Sequence, residues 1–110
     1  MDNSLEQDVN LIHAHICQAL ADPKRILILY ALSEGPKYVS ELADHLDIPQ
    51  PTVSRHLKIL RERSLVTSER DGATVYYSLT DQRVIEALDL LRAVLTDMLS
   101  QQAKLMQVLT

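Results

Sequence analysis

Apolar residues at Leu5, Val9, Ile12, Ile16 and Leu20 recur every three or four positions. That spacing gathers side chains on one face of a helix and predicts a first helix over 5–20. Asp22-Pro23 interrupts the run. An Asp side chain accepts from the free N–H groups at a helix start, and Pro suits the first turn, so a second helix begins there. It passes through KRILILYAL and ends near Ser33, ahead of Gly35-Pro36. This segment is apolar on most sides, as a central core helix must be.

A short helix is predicted from Val39 or Ser40 to Leu46, with Leu42, Ala43 and Leu46 inward. Asp47-Ile48-Pro49 makes a turn, and another helix follows from about Gln50 to Ser64. Its inward stripe is Val53, Leu57 and Leu60, with His56 beside it. After Leu65 the period changes. LVTSER and ATVYYSL are rich in β-branched and aromatic residues and flank Asp71-Gly72, the signature of a two-stranded hairpin. Thr80-Asp81 then opens a long helix whose stripe runs through Val84, Leu88, Leu91, Leu95 and Met98 and continues to Leu105 and Leu109.

There is no internal repeat, low-complexity tract or linker, so residues 1–110 read as one domain. The expected fold is mainly α with a small β-hairpin, a winged helix-turn-helix. Residues 40–64 form the helix-turn-helix and 65–79 the wing. The helices at 5–20 and 80–109 are arms. With no Phe or Trp, the core must be built from Leu, Ile, Val and Ala. So small a core benefits from a partner subunit.

Charge sharpens the picture through its distribution. The formal net charge is −4. Residues 1–48 and 80–110 are each net acidic, whereas 49–79 hold Arg55, Lys58, Arg61, Arg63 and Arg70 against Glu62, Glu69 and Asp71. Screening confines each charge to about 10 Å at 0.1 M salt, so a basic face attracts a polyanion even on an acidic body. The acidic start, MDNSLEQDVN, lacks the basic and apolar regions of a signal peptide. No apolar stretch approaches the roughly 18–20 residues of a membrane span. A cytoplasmic protein without a membrane partner is expected.

A helix enters the major groove of DNA when its outer face is polar and its first turns can approach the bases. Gln50, Thr52, Ser54 and Arg55 occupy those turns. Gln pairs with adenine and Arg with guanine, while hydroxyls reach bases or phosphates. Lys58 and Arg61, further along, suit phosphates. At the hairpin tip, Arg70 and Thr74 face the neighbouring backbone or minor groove. His56 is expected to be packed or to meet a phosphate. A basic outer face on an isolated helix is ordinarily just solvated. Here it coincides with a Pro-containing turn before it and an Asp-Gly hairpin after it.

With those residues in view, ALADPKRILIL and SELADHLDIPQPTVSRHLKILRERSLVTSERDGATVYYSLTD resemble the ArsR/SmtB family of bacterial transcriptional repressors over roughly residues 16–92. The resemblance implies a homodimer that joins through its first and last helices, binds double-stranded DNA at an imperfect palindrome, and is often released by an inducer. The inducer is left unassigned by the sequence. One metal site of the family needs a Cys-x-Cys pair where this chain has Glu41-Leu42-Ala43-Asp44. Another needs imidazoles where Arg83 and Val94 stand, although Asp81 and Asp97 match its acids. Arg stays protonated and cannot ligate a metal. No metal or cofactor is therefore expected.

The single Cys17 excludes an intrachain disulfide and a dithiol switch within one subunit. His13 and Cys17, four apart, have metal-ligand spacing, but Cys17 falls at a position that is usually a core hydrophobe and is read as structural. Nothing supports an enzyme: no Ser-His-Asp set, no phosphate-cradling glycine loop and no complete metal site. The alternative to a DNA-binding regulator is a winged-helix protein-interaction module, which the overall acidity favours.

Overall fold

The computed structural model describes residues 2–109. Its elements, in order, are α1 (Asn3–Ile12) continued by a π-helical turn (His13–Cys17), α2 (Pro23–Leu32), β1 (Lys37–Tyr38), α3 (Val39–Leu46), α4 (Gln50–Glu62), β2 (Val66–Asp71), β3 (Thr74–Leu79) and α5 (Arg83–Leu109).

Helices α2, α3 and α4 enclose the core. Ile28, Leu29, Leu42, Val53, Leu57 and Leu60 are fully buried there, joined by Val66 of β2. Asp22 caps α2, its carboxylate accepting from Lys24 N–H at 2.9 Å, with Pro23 in the first turn. At the start of α3, Tyr38 N–H donates to Glu41 Oε1 at 3.0 Å, one arm of a capping box. The sheet is antiparallel in the order β1-β3-β2. β1 pairs Lys37 with Tyr77 and Tyr38 with Tyr76, an edge strand that the hairpin reading did not include. Two residues are too few to show a period, so only the tertiary pairing reveals them. Tyr38 and Tyr76 pack ring on ring, 4.1 Å between centroids, and their hydroxyls hydrogen-bond. That bond pushes the Tyr38 phenol up to about 12.

The hairpin closes one residue later than the Asp71-Gly72 signal suggests. Asp71 pairs with Thr74, and Gly72-Ala73 form the two-residue loop. Gly72 has φ +63°, a left-handed conformation that glycine adopts without steric cost.

The first arm departs from a regular helix. Gln18 N–H donates to His13 O at 3.1 Å, five residues back, so one turn is widened. The wider turn shifts the angular phase of the residues beyond it. Ala19 is buried and Ile16 and Leu20 pack against the core, while no residue of α1 is buried. Cys17 is exposed in the subunit, not at the core position expected for it. The last arm, α5, is one continuous 27-residue helix. Only Ile85 and Leu88 of it are buried.

Candidate nucleic-acid interface

Two helix ends set the geometry of the helix-turn-helix. At the end of α3, Asp47 takes φ 54° and Ile48 N–H reaches back to Ala43 O at 3.0 Å. At the end of α4, Ser64 takes φ 62°, Leu65 N–H donates to Leu60 O at 2.9 Å, and Ser64 N–H donates to Arg61 O at 3.0 Å. Both are left-handed caps closed by a six-to-one bond, with an apolar residue folded back onto the core. The first turns the chain into α4; the second aims it into the wing.

Burial of Val53, Leu57 and Leu60 fixes the rotation of α4. Gln50, Ser54, Arg55, Lys58 and Arg61 are consequently exposed. Intervals of four, four and three put Gln50, Ser54, Lys58 and Arg61 on one face, with Arg55 alongside. Thr52 is half-buried, and its hydroxyl accepts from Arg55 Nη2 at 3.3 Å. Arg61 Nη1 donates to Ser68 Oγ at 3.3 Å, tying α4 to β2. Ser68 is a contact the sequence did not single out. Arg70 and Thr74 are exposed on the two strands of the wing, beside its tip.

Four cations elsewhere in the chain are ion-paired, whereas among the described residues Lys24, Arg63 and Lys104 are not. Arg25, Lys37, Arg83 and Arg92 each lie beside an acid, Asp22, Glu34, Asp81 and Asp89 respectively. Among the described residues, Arg55, Lys58, Arg61 and Arg70 make no ion pair. Their charge is left for an outside anion.

His56 sits apart from that face and takes the packed setting. Its side chain is 13% exposed, with Nε2 3.9 Å from Asp22 Oδ2. Its Nδ1 lies 3.3 Å from Arg25 Nη1. Burial holds the imidazole below its ordinary pKa; Asp22 opposes this, and Arg25, Arg55 and Lys24 add to it.

At the start of α5, Arg83 grips Asp81. Its Nε is 3.1 Å from each carboxylate oxygen and its Nη2 is 2.7 Å from Oδ2. The Arg83 side chain and backbone N–H hold the carboxyl down at about 2. Among the described residues, no three His, Cys, Asp or Glu side chains gather closely enough to hold a metal ion. No described helix is long and apolar enough to cross a membrane.

A helix-turn-helix whose second helix presents a polar and basic face, followed by a two-stranded hairpin, defines a winged helix-turn-helix. Residues 22–68 match the family described as bacterial regulatory protein, arsR family. The HTH-type transcriptional repressor SmtB of Mycobacterium tuberculosis is 48% identical over 69 residues, which cover 63% of this chain and 51% of that protein. The chain thus spans about half the length of that relative. An HTH-type transcriptional regulator of Methanocaldococcus jannaschii is 40% identical over 78 residues, 70% of this chain and 88% of that protein. A solution structure from Mycobacterium bovis superposes with a TM-score of 0.75 at 25% identity, over 92% of this chain and 93% of that one. It is described as a homodimeric winged helix-turn-helix DNA-binding domain of a possible ArsR-family regulator. This chain belongs to the arsR family of bacterial regulatory proteins.

Proposed function

We propose that the protein is a cytoplasmic, sequence-specific DNA-binding repressor that acts as a homodimer on a palindromic operator. The unpaired cations of α4 and the wing, in a chain of net charge −4, are the observation that carries this reading. Gln50, Thr52, Ser54 and Arg55 contact bases; Lys58, Arg61, Arg70 and Thr74 contact phosphates or sugar. His56 supports α4 from within.

The dimer reading is supported by the arms. Leu5, Val9 and Ile12 of α1 and Leu91, Val94, Leu95 and Met98 of α5 are all exposed, an apolar surface a lone subunit leaves in water. Between the arms lies a groove of about 760 Å³ lined by Ile12, Ile16, Leu20, Val84, Leu88 and Leu91. The Mycobacterium bovis relative is described as homodimeric, which supports assembly of two copies. An inducer, where one exists, acts by preferring one of two dimer geometries, a difference of typically about 1–3 kcal/mol.

The test is an unbiased selection of bound duplexes by the purified full chain, followed by titration at several salt concentrations. The expected result is an enriched palindrome with half-sites about one helical turn apart. Log affinity then falls linearly with log salt, because phosphate contacts release counterions. No enriched sequence and a flat salt response would leave the protein-interaction module as the reading.

A further inference from the structure

The contact between Arg25 and His56 belongs to a larger junction. Ala19 O lies at the end of the first arm, and the residue four positions on is Pro23, which has no N–H to donate. Arg25 supplies the missing donor: its Nε donates to Ala19 O at 2.6 Å. Its Nη2 donates to Gln18 O at 3.2 Å, and its Nη1 faces His56 Nδ1 at 3.3 Å. A guanidinium only donates, so Nδ1 is the acceptor and the neutral ring holds its proton on Nε2, toward Asp22. Arg25 is itself 13% exposed and turned into the body, away from the outer face of α4.

We propose that Arg25 is a positioning residue for DNA recognition: its planar fork fastens α4, through His56, to the last turn of the first arm. The proposal rests on the DNA-binding reading above. Rotation of the first arm against α4 breaks one branch of this fork, so the angle at which Arg55 and Gln50 are offered to DNA is tied to the angle of the arm. Apolar packing alone slides more readily than three directed hydrogen bonds. A proton on Nδ1 puts donor against donor at Arg25. The charges facing His56 are Asp22, Lys24 and Arg25 from α2 and its cap, and Arg55 from its own helix.

The experiment compares full-chain wild type with Arg25→Lys, His56→Asn and His56→Leu. Circular dichroism and sedimentation equilibrium monitor fold and assembly. Affinity is measured for the duplex selected by wild type and for a random duplex, from pH 8 to pH 5. Arg25→Lys keeps the cation but cannot span both carbonyls and the imidazole. Its affinity for the selected duplex is expected to fall about tenfold or more, with random-duplex affinity within about twofold of wild type. His56→Asn retains an acceptor near the position of Nδ1. Its discrimination is expected to stay within about threefold of wild type and to lose the decline at low pH, whereas His56→Leu loses discrimination at every pH.

Unchanged discrimination in Arg25→Lys, or equal losses on both duplexes, overturns the proposal. Should Arg25→Lys lose its helical signal, the pair of His56 variants decides, and equal behaviour of Asn and Leu overturns it. A wild type that enriches no sequence overturns the DNA-binding reading and this proposal with it. A wild type that does, alongside variants of unchanged discrimination, overturns the role of Arg25 alone.

Discussion

Arg55 and His56 are neighbours in sequence with opposite surroundings. Arg55 faces solvent, with Thr52 as its hydrogen-bond partner among the described residues, so under the proposed function its removal costs DNA affinity rather than stability. Arg55→Ala is expected to weaken binding to the selected operator by about 1–3 kcal/mol and to relax the preference at one base, as a quantitative footprint on single-base variants will show. Lys58→Ala should weaken all sequences alike and reduce the salt slope by about 1. His56 acts on stability as well. Its folded pKa lies below the ordinary imidazole value, so over the interval between them the unfolded chain binds more protons. The stabilisation is therefore full above the ordinary value of about 6.5 and is lost as pH falls through it. Urea midpoints from pH 8 to 5 should decline more steeply for wild type than for His56→Asn. A parallel decline in the two would sink this assignment.

Among the elements, α4 is held from inside by its apolar stripe and from its end by an unusual residue. Leu57 is fully buried, and Leu57→Ala should cost about 2–5 kcal/mol through lost transfer energy and the cavity left behind. Ser64 carries a steric penalty at φ 62° that glycine does not. Ser64→Gly is expected to raise stability by about 1 kcal/mol, seen as a higher denaturation midpoint with an unchanged m-value. A lower midpoint would mean that the Ser64 side chain contributes something its conformation does not reveal. The helices α2 to α5 were legible because their periodicity and their Asp, Pro and Gly punctuation agree. The π-helical turn and β1 were not. A single widened turn leaves the apolar spacing at three and four, and a two-residue strand has no pattern of its own.

The whole molecule is extended. A compact chain of this length has a radius of gyration near 13 Å, whereas this one has 17.4 Å and spans 61 Å along its longest axis. The excess comes from arms that leave their apolar stripes in water, consistent with the proposed assembly through them. Leu95→Asp should convert the assembly to monomers at micromolar concentration, because it puts a carboxylate in the middle of the exposed α5 stripe. Operator affinity should fall with it, since two half-sites no longer bind as one unit. Removal of residues 100–110 tests whether the end of α5 enlarges the interface. A weaker dimer constant by sedimentation equilibrium is expected, and an unchanged constant would discard that role.

Helix periods, cap residues and the reversal of charge in the middle of the chain are local properties, so the order of the α-helices and the hairpin, the fold class and the polar outer face of α4 could be read from the amino acids alone. The partners of individual side chains could not. Arg25 and His56 are 31 positions apart, and nothing local distinguishes Arg25 from the ion-paired bases elsewhere in the chain. Their meeting depends on how α2 and α4 cross and on where the first arm ends. Packing of the shared apolar core decides both, and that core forms only when every element is in place.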